Sequence, residues 1–109
     1  MSSEIKSEAD VKREVKKLLN TYKWRWWMPG GTAYGKNNVD FNCLKYGKFL
    51  VIETKFGKNT PTINQQKFLD ETEKYGGYSF VINENNLNSL EEFLENVELP
   101  GRIAETQIA

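Results

Sequence analysis

The sequence contains no histidine and a single cysteine, Cys43, and these two scarcities exclude several kinds of chemistry. Without histidine there is no imidazole to serve as the base of a Ser-His triad or to bind zinc. One thiol can form neither an internal disulfide nor a thiolate metal cluster. Any catalysis by this chain must therefore use carboxylates, lysine, hydroxyls or amides.

Long apolar runs are also missing. No run approaches the roughly 20 residues that a membrane span requires, and the N-terminal stretch "MSSEIKSEADVKREVKK" lacks the apolar core of a signal peptide. The mean hydropathy is -0.65. We therefore expect a soluble, cytoplasmic protein with no membrane partner and no small-molecule cofactor.

The length of 109 residues is enough for one hydrophobic core, so we expect a single domain over residues 1–109 with a tail at 99–109 that is either flexible or packed on a partner. The net charge of zero conceals an asymmetry. Residues 1–65 contain 12 Lys and Arg against 6 Asp and Glu, whereas residues 66–109 contain 3 against 9. The basic half is compatible with a polyanionic partner such as nucleic acid.

Apolar periodicity and turn residues predict an α/β fold, a small mixed sheet flanked by helices. The first helix contains apolar residues at helical spacing from Val11 to Tyr22, and Gly76-Gly77 should stop the second. The predicted elements are a first helix starting near Ser7, strands at 38–44 and 48–55, a helix after Thr62, a strand at 78–83 and a helix at 87–97.

The most distinctive feature of the chain is a pair of acids in the hairpin predicted for "VDFNCLKYGKFLVIETK". If the hairpin turns through Tyr46-Gly47, Asp40 lies directly opposite Glu53 on the same face of the sheet, with Cβ atoms about 4.5 to 5.5 Å apart. Lys55 shares that face because side chains alternate along a strand. Two like charges at this separation destabilise the sheet unless something positive lies between them.

A divalent cation would satisfy this pair. Mg²⁺ accepts one or two carboxylates and takes its other ligands from water and substrate phosphates, and Lys55 beside it would hold the attacking water or stabilise charge on phosphate. The competing interpretation is a solvated hairpin face that happens to carry three charges. Phe49 and Val51 share the face of Glu53, however, which makes that face less polar than a solvated one.

On these residues the sequence resembles the PD-(D/E)XK nuclease superfamily, and within it the small VRR-Nuc type domains that occur alone in phages and within repair nucleases. Asp40 in "NNVDF" and Glu53-Thr54-Lys55 in "IETK" match the Asp and Glu-X-Lys positions. Val39 replaces the usual proline. The resemblance covers roughly residues 6–83 and implies a restriction-endonuclease-like αβββαβ core.

Two further positions match the family. Glu8 in "EADVKREVKK" matches a glutamate of the first helix. It lies within about 40° of the centre of the apolar stripe of that helix, whereas Glu14 lies about 80° away, so we expect Glu8 to point inward and Glu14 sideways. Gln65, three residues after Thr62, matches a family glutamine, although Gln66 is an alternative. The competing interpretations are an electrostatic role of Glu8 at the helix N-terminus and an exposed amide at position 65.

The resemblance implies a metal-dependent endonuclease acting on DNA. Mg²⁺ or Mn²⁺ would be held by Asp40, Glu53 and the carbonyl of Thr54, with Glu8 near a second position. Lys55 would position or deprotonate water, and Gln65 would orient water or phosphate. Standalone domains of this kind look like homodimers that cut branched DNA, such as Holliday junctions or flaps. A two-fold dimer with two sites would suit a four-way junction, which itself offers paired scissile strands.

Residues around this site would contact the DNA backbone. Tyr34 and Lys36 precede the Asp40 strand and Lys58 follows the Glu53 strand, although each is also compatible with an ordinary solvated loop. The cluster Trp24, Trp26 and Trp27 is interpreted mainly as packing or a dimer contact, with at most one ring stacking on bases. The other candidate functions are a non-catalytic DNA-binding module and a partner-binding protein.

Overall fold

A computed structural model describes residues 4–29 and 39–97, which form three helices and four strands. The strands form one mixed sheet in the order β1-β2-β3-β4, in which the first three strands are antiparallel and β4 is parallel to β3. The elements are α1 (Glu8–Thr21), β1 (Arg25–Trp27), β2 (Phe41–Lys45), β3 (Lys48–Thr54), α2 (Ile63–Lys74), β4 (Tyr78–Ile82) and α3 (Leu87–Asn96). The predicted α/β class is confirmed.

The β2-β3 hairpin has the predicted register. Lys45 pairs with Lys48, and the pairing continues to Phe41 opposite Ile52. Tyr46 and Gly47 form the two-residue turn with φ angles of 54° and 79°, and a type I′ turn requires positive φ at both positions. The turn therefore fixes which residues face each other at the far end of the hairpin.

Strand β3 lies between two layers of helices. On one face the core includes residues of α1, α3 and the inner strands, and on the other face Val39 and Val51 pack against Leu69 of α2. All residues of β3 from Leu50 to Thr54 are buried, as expected for a strand covered on both sides. The main core consists of Val11, Val15, Leu19, Trp24, Phe41, Cys43, Leu50, Ile52, Ile82, Leu90 and Leu94.

Helices α1 and α2 start where the sequence predicts, and a side chain caps each start. The Ser7 hydroxyl accepts a hydrogen bond from the Asp10 N–H at the start of α1. Thr62 caps α2 and forms a reciprocal capping box with Gln65. Each cap satisfies backbone donors that lack partners in the first turn of a helix.

The sequence interpretation missed strand β1, which contains part of the Trp cluster. Trp24 is buried against Phe93, and Trp26 packs edge-on against Phe41 at 5.6 Å between ring centroids. Trp27 remains 42% exposed. A three-residue strand is too short for alternation to be recognised, and its aromatics equally fit a loop that packs on the core. Packing is thus the role of Trp24 and Trp26.

Several expected features lie outside the described residues, including Tyr34, Lys36 and the whole tail at 99–109. Within residues 4–29 and 39–97, no helix is both long enough and apolar enough to cross a membrane.

There is no space for a side chain at Gly77. An added Cβ would lie 2.7 Å from Thr72 Cγ2 and 3.0 Å from the Phe49 carbonyl oxygen. We expect Gly77→Ala to lower the free energy of unfolding by about 1–3 kcal/mol, the usual range for overpacking. Urea unfolding measures this change. In a Thr72→Ser background, which lacks Cγ2, the same substitution should cost less. A variant within about 0.5 kcal/mol of the original chain would contradict the predicted close approach.

Candidate functional site

The candidate site lies where β2 begins and β3 ends. Beyond the last hairpin pair, Phe41 and Ile52, Asp40 comes opposite Glu53, and the Asp40 N–H donates to Glu53 Oε1 at 3.1 Å. The two residues are therefore neighbours, as predicted, but Glu53 contacts the backbone of Asp40 and not its carboxylate. The Asp40 carboxylate bonds the Thr54 hydroxyl, and Thr54 alternates with Glu53 along β3, so the expectation that both carboxylates share one face of the sheet is not confirmed. Asp40 lies in a bend before β2, where strand alternation no longer fixes the direction of its side chain.

The Asp40 carboxylate accepts the hydrogen bond from the Thr54 N–H that a backbone carbonyl would accept in a continuous strand pair. Its Oδ2 accepts from the Thr54 N–H at 2.9 Å and from the Thr54 hydroxyl at 2.5 Å. The next N–H along the chain, that of Lys55, donates in the other direction to the Ile82 carbonyl. Since backbone groups of successive residues alternate between neighbouring strands, the Thr54 carbonyl faces the side of Asp40. The two predicted metal-binding groups, Asp40 and Thr54, therefore adjoin.

Glu53 is a buried acid, with 1% of its surface exposed. Its Oε2 lies 3.1 Å from Lys55 Nζ. Burial raises the pKa of the Glu53 carboxyl, the negative charge of Asp40 raises it further, and Lys55 opposes both, giving a value of about 7. A carboxyl with this pKa holds a proton at a higher pH than an exposed glutamate does, and strongly shifted acids of this kind are found more often at functional sites.

Helix α1 adds a second pair of charges to the site. Lys12 Nζ lies 3.4 Å from Glu8 Oε2 and 3.6 Å from Asp40 Oδ1, so it bridges the two carboxylates. Glu14, the alternative to Glu8, pairs instead with Arg13 and Lys17. Glu8 is thus the helix carboxylate connected to Asp40, although its side chain is 36% exposed and that of Glu14 only 18%. The expectation that Glu8 points further inward than Glu14 is wrong in this respect.

Lys12 is the residue of the site that sequence reasoning missed. The sequence places it among the basic residues off the apolar stripe of the first helix, and the i, i+4 spacing from Glu8 was the available signal. Its contact with Asp40 joins two segments 28 positions apart and depends on how α1 packs on the sheet.

The glutamines of α2 have local partners. The Gln65 side-chain oxygen accepts from the Thr62 N–H at 3.0 Å as part of the capping box, and Gln66 donates to Asp70 at 2.9 Å. A structural role thus exists for each amide, and the expected contact of Gln65 with water or phosphate stays a prediction. Lys58 is exposed in the turn after β3.

The site offers only a few of the oxygen ligands that a hard divalent ion needs. Within residues 4–29 and 39–97 there is no group of three or more His, Cys, Asp or Glu residues that could hold a metal ion. Asp40, Glu53 and the Thr54 carbonyl supply oxygen ligands only, and Mg²⁺ commonly uses one or two carboxylates and completes its shell with water and phosphate. The donors are of the chemical type that Mg²⁺ and Mn²⁺ prefer, and binding of either ion here stays a prediction.

A scan against protein-family models finds no match to this chain, and a search of curated proteins finds none either. The interpretation of the site therefore depends on its own geometry.

The raised pKa of Glu53 predicts a pH-dependent stability in metal-free protein. Between about pH 4.5 and 7 the folded chain holds a proton that the unfolded chain releases, so this group contributes stability that is lost as the pH rises through that window. Glu53→Gln mimics the protonated form. Relative to the original chain, its free energy of unfolding should rise between pH 4.5 and pH 8 by at most about 3 kcal/mol.

Chemical unfolding in the presence of a chelator measures this difference at both pH values. Glu92→Gln, at an exposed position of α3, is the matched control and should follow the original chain. A constant difference between Glu53→Gln and the original chain across the window would show that Glu53 has an ordinary pKa.

Proposed function

We propose that this chain is a metal-dependent endonuclease that hydrolyses phosphodiester bonds in DNA, with branched DNA as its substrate. One observation carries the proposal: the buried Glu53 accepts the Asp40 N–H and lies against the Lys55 ammonium, so two acids and a lysine converge at the ends of two neighbouring strands. This trio can bind a cation and assist water attack without histidine.

The element order supports the resemblance to the PD-(D/E)XK superfamily. From α1 to β4 the order is helix, three strands, helix, strand, which is the αβββαβ order that the resemblance implies. Strand β1 supplies the strand that was not recognised in the sequence. Asp40 directly precedes the second strand of this series, and Glu53 lies at the end of the third.

The chemistry is divided between the ion and the protein. A bound Mg²⁺ or Mn²⁺ would lower the pKa of water and stabilise negative charge on the phosphate. Asp40, Glu53 and the Thr54 carbonyl would hold that ion. The Lys55 ammonium, kept in position by Glu53 at 3.1 Å, would donate hydrogen bonds to the attacking water or to a phosphate oxygen.

Two further residues have supporting roles in this proposal. Glu8 acts on Asp40 through Lys12, which contacts both carboxylates. Gln65 accepts the Thr62 N–H through its oxygen and keeps its amide N–H₂ group as the part that would donate to a phosphate.

The proposed substrate class is supported by exposed positive charge and by the symmetry of branched DNA. Lys58 is exposed directly after β3, and Tyr34 and Lys36 precede Asp40 in the sequence, so these three would contact the phosphate backbone on either side of the scissile bond. We propose selection of DNA shape, such as a Holliday junction or a flap, by a homodimer, because two sites related by a two-fold axis match the paired scissile strands of a four-way junction.

The decisive experiment compares cleavage of a labelled four-way junction, a flap and a linear duplex with Mg²⁺, with Mn²⁺ and with a chelator. Asp40→Asn, Glu53→Gln and Lys55→Met should each lower the cleavage rate by about 100-fold or more, because each removes a cation ligand or a charge at the reacting phosphate. Glu14→Gln is the matched control on α1 and should retain the rate, since Glu14 pairs away from the site.

Each variant should first be shown to fold by thermal unfolding. Cleavage that persists in Asp40→Asn and Glu53→Gln would contradict the assignment of the site. Junction binding without cleavage under either metal would instead identify a non-catalytic DNA-binding module, and absence of binding even at low salt would favour a partner-binding protein.

A further inference from the structure

Lys12 forms ion pairs with both Glu8 and Asp40, and this arrangement bears on the number of metal ions that the site can hold. We propose that the Lys12 ammonium acts as a built-in cation beside Asp40, which keeps Glu8 from binding metal and limits the site to one divalent ion per chain. The inference rests on the proposed function and specifies the stoichiometry of its metal centre.

The hydrogen bonds of Asp40 show why Lys12 matters. Oδ2 already accepts from the N–H and the hydroxyl of Thr54. Oδ1 faces Lys12 Nζ at 3.6 Å. Lys12 therefore occupies the side of Asp40 that lies toward α1, which is the side from which Glu8 would have to share an ion with Asp40.

Helix packing keeps Lys12 in this position. Val11 and Val15 are completely buried, which fixes the adjoining turns of α1 against the sheet. Glu8 lies one turn before Lys12 and contacts it at 3.4 Å, an i, i+4 pair on one face of the helix. If an ion binds Asp40 from the side of Glu53, Lys12 can still remain on Glu8.

The charges of the cluster favour one ion and oppose a second. Glu8, Asp40 and Glu53 supply three carboxyl groups, and Lys12 and Lys55 supply two ammonium groups. One divalent ion is enough to make this group positive, so a second ion would meet net repulsion at short range. Removing the charge of Lys12 would lessen the repulsion and release Glu8 as a ligand.

The test is the number of Mn²⁺ ions bound per chain without DNA, measured by equilibrium dialysis and by titration calorimetry with Mn²⁺ alone. The original chain should bind one ion and Lys12→Met two. The first ion should bind about tenfold more tightly to Lys12→Met, because a nearby positive charge is gone. The double variant Glu8→Gln with Lys12→Met should return to one ion.

Two controls separate this effect from a general change of charge. Lys12→Arg keeps the positive charge and should bind one ion. Lys17→Met removes the same charge from α1, where Lys17 pairs with Glu14, and should also bind one ion. Thermal unfolding of each variant reports on folding independently of the metal.

The outcomes distinguish this inference from the proposed function. One ion in both the original chain and Lys12→Met, with equal affinity, overturns the role of Lys12 and leaves the nuclease proposal intact. Two ions in the original chain do the same. No ion in the original chain or in any variant overturns the proposed metal centre and this inference together.

Discussion

The arrangement of the site depends on one buried carboxylate at the end of the central strand. β3 is covered by helices on both faces, so Glu53 is removed from water although it is an acid. Burying an ionised carboxylate is costly unless hydrogen bonds or charges compensate. The Asp40 N–H and the Lys55 ammonium provide part of that compensation, although the pKa of Glu53 still rises to about 7, and together they bring the three residues into one constellation.

The surrounding elements contribute to this constellation from different directions. The hairpin brings Asp40 beside Glu53, and the bend before β2 lets the Asp40 carboxylate reach the backbone of Thr54. Helix α1 presents Lys12 to Asp40 from the border of the helix face that is buried in the core. A compact cluster of three acids and two lysines results, and this cluster is the basis of the proposed phosphodiester chemistry.

Strong local signals made parts of the structure predictable. The Tyr46-Gly47 turn and the flanking apolar runs specify the hairpin register, since a two-residue turn allows only one pairing. The capping residues Ser7 and Thr62 likewise mark the helix starts. Strand β1 was not predictable, because three residues give no periodicity and its pairing with β2 depends on a partner distant in sequence. The capping role of Gln65 was missed because its family match suggested a contact with phosphate.

The sequence by itself determined which functional groups are available, since it has no histidine and one cysteine. It also determined the local strand pairing that brings Asp40 opposite Glu53. Turn geometry and side-chain alternation act over a few residues, so they can be deduced from the order of amino acids. Only the tertiary structure decided that Glu53 is buried, that Asp40 bonds Thr54, and that Lys12 lies between Glu8 and Asp40. These features require helices and strands to pack on each other, and the positions of long flexible side chains at such contacts depend on every element that surrounds them.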